Sequence, residues 1–173
     1  MIDLKKLEYL IIDVDGTLTD SGIYYDTLGN EFKKFTTRDY VGVLAAHYIG
    51  LKIVALTGRE CKPVERRLKE IKVDEIYQNI KNKYSFLEQF MNERKLKSQS
   101  VIYIGDDLND YAAMNLAGVK ACPGDAAMEI KAMCDIISTL RGGEGVLQDV
   151  FRNLLSELGC WEDFMKDVVM KGY

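Results

Sequence analysis

The sequence has few cysteines and prolines, a single histidine and no excess of positive charge. Its formal net charge is −4, so it lacks the basic surface expected of a protein that binds nucleic acid. No apolar run approaches the length of a membrane span, and Met1–Leu10 do not show the pattern of a secretory signal. These absences predict a cytoplasmic protein without nucleic acid or membrane partners.

The cysteine spacing argues against disulfides and metal sites. None of the four cysteines lies in a C-x-x-C motif, which favours reduced thiols packed as small apolar groups. There is also no linker rich in proline, glycine or serine, and no internal repeat. A chain of 173 residues without such interruptions is expected to form one domain.

Apolar strand patterns alternate with helical patterns along the chain. The predicted strands are Tyr9–Val14, Lys52–Leu56, Val101–Ile104, Val119–Ala121 and Asp135–Ile137. The predicted helices are Tyr40–Ile49, Pro63–Lys69, Lys83–Arg94, Asp110–Ala117, Ala126–Met133 and Glu144–Leu158. The alternation predicts an α/β fold, a Rossmann-like three-layer sandwich with helices on both faces of a mainly parallel sheet.

Two segments are expected to lie outside this pattern. The hairpin patterns Gly22–Tyr25 and Glu31–Phe35 predict a small flap over about residues 22–35 that projects beyond the main sheet. After a single domain over residues 1–159, Cys160–Tyr173 form a tail whose apolar residues need a surface to cover them.

The first strand ends in two carboxylates, Asp13 and Asp15, followed by Gly16 and Thr17. In an open α/β sheet, ligands bind at the edge formed by the carboxyl ends of the strands, where these two carboxylates are expected. An unpaired charge at the end of a buried strand is costly, and a divalent cation would offset that cost. Taken alone, the pair could also be a strand-ending turn.

Three further motifs follow at or near strand ends. Leu56–Arg59 presents a hydroxyl and backbone N–H groups that can bind phosphoryl oxygens, with Thr57 as the candidate. Lys81 and Lys83 both lie near the start of a helix, where a cation would neutralise a carboxylate and a phosphoryl group together.

The last motif, Gly105–Asp110, again places acids at the end of a strand. Carboxylates from two strand ends suit Mg²⁺, which prefers hard oxygen ligands. Asp106 is the candidate ligand, whereas Asp107 or Asp110 would support the metal ligands or cap the next helix.

Together the motifs resemble those of the haloacid dehalogenase-like phosphatases. The resemblance implies that Asp13 attacks phosphorus, and that Asp15 protonates the leaving oxygen and then activates water. It implies that Thr57 and Lys83 bind the phosphoryl group, since Lys83 matches an Asp-Lys-Leu-like stretch of related members. It also implies a Mg²⁺ site formed by Asp106, Asp13 and the backbone carbonyl of Asp15.

The short spacings between motifs leave no room for the cap domain of larger members. Among capless members, the chain resembles the 3-deoxy-D-manno-octulosonate 8-phosphate phosphatase group in Asp15–Asp20, Phe35–Gly42 and Gly142–Gly145. The resemblance implies a role in lipopolysaccharide biosynthesis and a homotetramer. It places the flap at a subunit contact and the tail Cys160–Tyr173 near an active-site entrance.

The implied reaction releases phosphate from 3-deoxy-D-manno-octulosonate 8-phosphate. Thr57, Gly58 and Lys83 are its phosphate-binding candidates, and Arg59 and Arg38 are candidates for the substrate carboxylate.

Two departures from the group, at Asp39–Gly42 and at Glu144, keep a nine-carbon alternative open. Its substrate would be the 9-phosphate of a 3-deoxy-nonulosonate or of an N-acylneuraminate. A further alternative is an inactive oligomerisation module of a sugar nucleotide pathway, against which the intact motifs argue.

Overall fold

The computed structural model describes residues 6–172. Six strands form one parallel sheet, and two more form the flap. In chain order they are β1 (Tyr9–Ile12), β2 (Tyr24–Tyr25), β3 (Glu31–Phe32), β4 (Lys52–Leu56), β5 (Glu75–Tyr77), β6 (Val101–Ile104), β7 (Val119–Cys122) and β8 (Ile136–Ile137). The order across the sheet is β5-β4-β1-β6-β7-β8, with β1 central.

Helices cover both faces of the sheet. They are α1 (Asp39–Tyr48), α2 (Lys62–Glu70), α3 (Lys83–Arg94), α4 (Leu108–Met114), α5 (Met128–Met133), α6 (Val146–Glu157) and α7 (Trp161–Asp167). The apolar side chains of α1, α2, α6 and α7 pack with Leu10 and Ile12 on one face. Those of α3, α4 and α5 pack with Tyr9 and Ile11 on the other, because successive strand residues point to opposite faces. This is the predicted three-layer α/β fold.

The parallel register brings the functional segments together. Ile12 at the end of β1 pairs with Ala55 of β4 on one side and with Ile104 of β6 on the other. The residues that follow these three strands therefore meet at one edge of the sheet, which is the expected ligand-binding edge.

Some strands and helices begin or end at other residues than predicted, because a turn or a capping side chain sets the boundary. The first strand was predicted to reach Val14 but ends at Ile12, where the chain turns through Gly16. The helix predicted from Asp110 begins at Leu108, because the side chain of Asp107 caps it. The three-residue strand β5 was not among the predicted strands, and it pairs with β4 at one edge of the sheet.

The flap is the predicted hairpin with shorter strands. Asp26 holds its turn by accepting hydrogen bonds from the backbone N–H groups of Leu28 and Asn30. A bridge between Thr19 and Phe35 joins its base to the main domain. Large apolar side chains are exposed along the flap, namely Ile23, Tyr24, Tyr25, Leu28 and Phe32.

The chain itself covers part of the apolar surface of the tail. The tail forms α7, in which Phe164 is fully buried and contacts the rings of Tyr48 and Trp161. The covering surface that these residues need is thus provided in part within the chain, whereas Met170 is exposed. The position of the tail near an active-site entrance stays a prediction.

Two further features concern the whole described chain. All four cysteines are free thiols, and Cys61 and Cys122 are buried in the apolar cores. No helix within residues 6–172 has both the length and the apolar character needed to cross a bilayer.

Candidate active site

The first and fourth motifs lie next to each other at the edge of the sheet. Asp13 directly follows β1, and its backbone N–H donates to the carbonyl of Ile104 at 2.9 Å. Asp106 follows β6 after Gly105. The Asp13 side chain is only 3% exposed, so this carboxylate is presented from the core and needs polar partners.

Lys83 supplies one of those partners from the start of α3. Its Nζ lies 2.5 Å from Asp13 Oδ1 and 2.7 Å from Asp110 Oδ1. The helix begins there because Asn82 caps it, accepting from the backbone N–H of Ser85 at 3.0 Å. Of the two candidate lysines, Lys83 reaches the aspartates, whereas Lys81 donates to the carbonyl oxygen of Gly58.

Asp107 and Asp110 have different places, which the sequence left open. Asp110 is fully buried and accepts hydrogen bonds from Lys83, from the Tyr103 hydroxyl at 2.8 Å and from the Asp106 backbone N–H at 3.3 Å. Asp107 is exposed and accepts from the backbone N–H of Leu108. Asp110 therefore belongs to the buried cluster, and Asp107 is a helix cap.

The cluster holds more negative charge than its lysine balances. Oxygens of Asp13, Asp106 and Asp110 lie within 4.8 Å of one another. Burial and the neighbouring carboxylates raise the pKa of Asp13 and that of Asp106. Burial alone would lower the pKa of Lys83, but Asp13 and Asp110 raise it overall. When all three carboxylates are ionised, they and the one ammonium group leave two negative charges, which a divalent cation would balance.

One atom of the cluster points specifically to a cation. Asp106 Oδ1 is buried and has no hydrogen-bond partner among the described residues. Buried carboxylate oxygens are almost always paired or bound to a metal. The hard oxygen donors of Asp13 and Asp106 at this edge fit Mg²⁺. The family resemblance implies these two as side-chain ligands, together with the backbone carbonyl of Asp15.

Two loops beside this cluster approach their neighbours so closely that only glycine fits, at Gly16 and at Gly142. Gly16 has a φ of +104°, and a Cβ there would lie 2.0 Å from Asp106 Oδ2. A Cβ at Gly142 would lie 2.0 Å from the carbonyl oxygen of Gly16. The Gly142–Gly145 loop thus packs directly on the loop that carries Asp15.

Asp15 and Thr57 lie beside each other at the mouth of the site. Thr57 Oγ1 donates to Asp15 Oδ2 at 3.3 Å and accepts from the backbone N–H of Arg59. Asp15 Oδ1 accepts from Lys33 Nζ at 2.6 Å. Sequence reasoning missed Lys33, although its position, two residues from both Glu31 and Phe35, puts it on the same inward face of the flap.

The two arginine candidates have different surroundings. Arg59 donates through Nη2 to Glu31 Oε1 of the flap at 3.0 Å, and its Nε is buried without a hydrogen-bond partner among the described residues. Arg38 is exposed and lies beside Gly145, where an added Cβ would come within 2.9 Å of the Arg38 Cβ. Arg59 is therefore next to Thr57 and Asp15, whereas Arg38 lies on the neighbouring loop.

Comparison with known proteins gives consistent matches. A profile of the haloacid dehalogenase-like hydrolase family matches residues 72–149. The 3-deoxy-D-manno-octulosonate 8-phosphate phosphatase KdsC of Escherichia coli is 31% identical over 159 residues, which are 92% of this chain and 85% of that protein.

Solved structures resemble the whole chain. The Moraxella catarrhalis 3-deoxy-D-manno-octulosonate 8-phosphate phosphatase, in complex with magnesium ion, phosphate ion and KDO, superimposes with a TM-score of 0.87. Its identity is 30%, over 94% of both chains. The cobalt-bound Haemophilus influenzae phosphatase has a TM-score of 0.84 and 25% identity, over 96% of both chains.

Proposed function

This chain belongs to the haloacid dehalogenase-like phosphatases, in the capless 3-deoxy-D-manno-octulosonate 8-phosphate phosphatase group, and on that basis we propose that it hydrolyses 3-deoxy-D-manno-octulosonate 8-phosphate to 3-deoxy-D-manno-octulosonate and phosphate. The reaction is Mg²⁺-dependent and passes through an aspartyl-phosphate. The observation that carries the proposal is the buried cluster of Asp13, Lys83, Asp106 and Asp110, in which a cation is needed and Asp106 Oδ1 has no partner.

The first step transfers the phosphoryl group to the protein. A carboxylate oxygen of Asp13 attacks phosphorus, and the bond between phosphorus and the sugar oxygen breaks. Asp15 gives its proton to that oxygen as it leaves. Lys83 balances charge on Asp13 and the phosphoryl oxygens, and Thr57 donates a hydrogen bond to the same group.

The second step returns Asp13 to its starting state. Asp15, now ionised, takes a proton from a water molecule whose oxygen attacks phosphorus. The bond between phosphorus and Asp13 breaks, phosphate leaves, and Asp15 is again protonated. Asp13 and Asp106 would hold Mg²⁺, whose positive charge would stabilise the phosphoryl group during transfer.

The substrate carboxylate is assigned to Arg59. Its Nε donor is unpaired while Glu31 binds Nη2, so the guanidinium is fixed in orientation and retains a free donor. Such a group suits a planar carboxylate. Arg38, on the neighbouring loop, is a second candidate with an exposed side chain.

We further propose a cytoplasmic homotetramer that acts in lipopolysaccharide biosynthesis. The exposed apolar side chains of the flap, with Leu28 at 86% and Tyr25 at 63%, support a subunit contact there. Light scattering should give four times the mass of the chain, and a monomer at micromolar concentration would contradict the proposal.

Hydrolysis assays test the function directly. The purified chain is incubated with the eight-carbon 8-phosphate and with nine-carbon 9-phosphates, each with Mg²⁺ or with a chelator. We expect phosphate release from the eight-carbon substrate to be fastest and to stop with the chelator. Faster release from a nine-carbon substrate would change the substrate assignment, and no turnover of any phosphomonoester would favour an inactive module.

A further inference from the structure

The flap places a buried lysine on Asp15. Lys33 Nζ donates to Asp15 Oδ1 at 2.6 Å and to the carbonyl of Gly22 at 3.4 Å, and Glu31 Oε1 lies 3.8 Å away. The Lys33 side chain is 0% exposed. Within residues 6–172, the one ion pair recorded for Asp15 is that with Lys33.

This burial contrasts with the exposed apolar side chains on the outer side of the flap. Residues on the arm after the turn alternate, so Glu31, Lys33 and Phe35 face the domain while Phe32 and Lys34 face outward. Burying an ammonium group is costly unless it is paired. The carboxylate of Asp15 is the short-range partner that offsets this cost.

The two carboxylate oxygens of Asp15 therefore have different hydrogen-bond partners. Oδ1 is held by Lys33, whereas Oδ2 lies 3.3 Å from Thr57 Oγ1, on the side assigned to the phosphoryl group. We propose that Lys33 is a positioning residue that fixes Oδ1 of Asp15 and so directs Oδ2 at the leaving oxygen. This inference rests on the proposed function.

The consequence for the reaction is specific to proton transfer. When Asp15 is protonated for the first step, Oδ1 still accepts the hydrogen bond from Lys33, so the proton that goes to the leaving oxygen is carried on Oδ2. Once that proton has left, the ionised Asp15 pairs fully with Lys33, and Oδ2 later takes a proton from water. Because Lys33 belongs to the flap, Asp15 is correctly oriented only when the flap lies against the domain. The flap thus contributes to the chemistry as well as to substrate choice.

The test compares two aryl phosphates of nearly equal size, 4-nitrophenyl phosphate and phenyl phosphate. The nitrophenolate leaves readily without a proton, whereas the phenolate depends more on the acid. The parameter kcat/KM reports the first phosphoryl transfer. In Lys33→Met we expect kcat/KM to fall roughly 10- to 100-fold with phenyl phosphate, a typical loss for a residue that orients a catalytic group, and to change little with 4-nitrophenyl phosphate.

Lys34→Met is the matched control, because Lys34 is the next residue and its side chain is 61% exposed. It should leave kcat/KM unchanged with both phosphates. Equal losses with the two phosphates in Lys33→Met, or no loss with either, would overturn the inference, because a structural or general electrostatic role does not depend on the leaving group.

Two further measurements keep the test decisive. If Lys33→Met does not fold by circular dichroism, Lys33→Gln is used. It keeps a hydrogen-bond donor without the charge, and it should show a smaller loss with the same dependence on the leaving group. The wild-type protein separates the two proposals: if it hydrolyses neither phosphate with Mg²⁺, the proposed function itself is wrong.

Discussion

The cluster at the strand ends and the flap differ in how they are held. The side chains of Asp13, Lys83 and Asp110 are at most 3% exposed. Lys83 of α3 pairs with Asp13, which follows β1, and with Asp110 of α4. The flap has strands of two residues each, and its apolar side chains are largely exposed. Glu31, Lys33 and the base of the flap connect it to the site, and Tyr25 also interacts with Arg59.

This difference in burial matches two proposed roles, binding of the phosphoryl group and recognition of the rest of the substrate. The groups proposed to bind the phosphoryl group, which every substrate shares, lie where the sheet and the core fix them. The group proposed to bind the variable part of the substrate, Arg59, lies against the flap. Variants of the cluster should therefore reduce turnover of all phosphomonoesters, and variants of the flap contacts should depend on the substrate.

The largest effect is expected from Asp13→Asn. The neutral amide cannot attack phosphorus, so turnover of every phosphomonoester should fall by several orders of magnitude. The amide is nearly isosteric, and thermal unfolding should show a folded protein. Retention of a tenth of the wild-type rate would place the nucleophile elsewhere.

Two acids of the same motif offer a comparison within the cluster. Asp110 accepts hydrogen bonds from three donors, and Asp110→Asn replaces one of its two acceptor oxygens by an NH₂ group. We expect kcat to fall about 10- to 100-fold with any substrate, as it does when a group that orients metal ligands is changed. Asp107→Asn keeps a good helix cap and should retain wild-type activity. Equal effects of the two variants in steady-state assays would contradict the separate places described for them.

A smaller and substrate-dependent effect is expected from Arg59→Ala. Loss of a charged hydrogen bond to the sugar-acid carboxylate should raise KM for the keto-acid phosphate roughly 10- to 100-fold, with little change for phenyl phosphate. Arg66→Ala is the control, because Arg66 is exposed and pairs with Glu70 on its own helix. If both substrates lose equally, Arg59 acts in phosphate binding or folding instead.

The smallest effect concerns stability and lies away from the cluster. Burial raises the pKa of Asp39 to about 7, although it accepts a hydrogen bond from the Leu147 backbone N–H and lies near Arg67. Between pH 4 and pH 7 the folded protein therefore holds a proton that the unfolded chain has released. Its stabilising effect is present below pH 4 and is lost as the pH rises towards 7.

The variant Asp39→Asn keeps the acceptor but cannot ionise. The free energy of unfolding of the wild type, relative to this variant, should fall by up to a few kcal/mol between pH 4 and pH 7. Urea unfolding at several pH values measures it. A difference that does not change with pH would show that Asp39 ionises normally in the folded protein.

Sequence patterns predicted the strand-end groups well, for a physical reason. Parallel strands end at the same edge, so Asp13, Thr57 and Asp106 are brought together once the strands are recognised. The distinction between Asp107 and Asp110 was not predictable, because it depends on where α4 begins. Lys33 was missed because its contact with Asp15 depends on how a hairpin folds back, and the tail helix because its apolar residues have no long periodic pattern.

The central claim is that Asp13 carries the phosphoryl group during turnover. Wild-type protein, quenched during hydrolysis of the 8-phosphate with Mg²⁺ and reduced with tritiated borohydride, should yield tritiated homoserine at position 13, since borohydride reduces an acyl phosphate. The same treatment of Asp13→Asn should give no label. Release of phosphate by the wild type with the label at another residue would contradict the account.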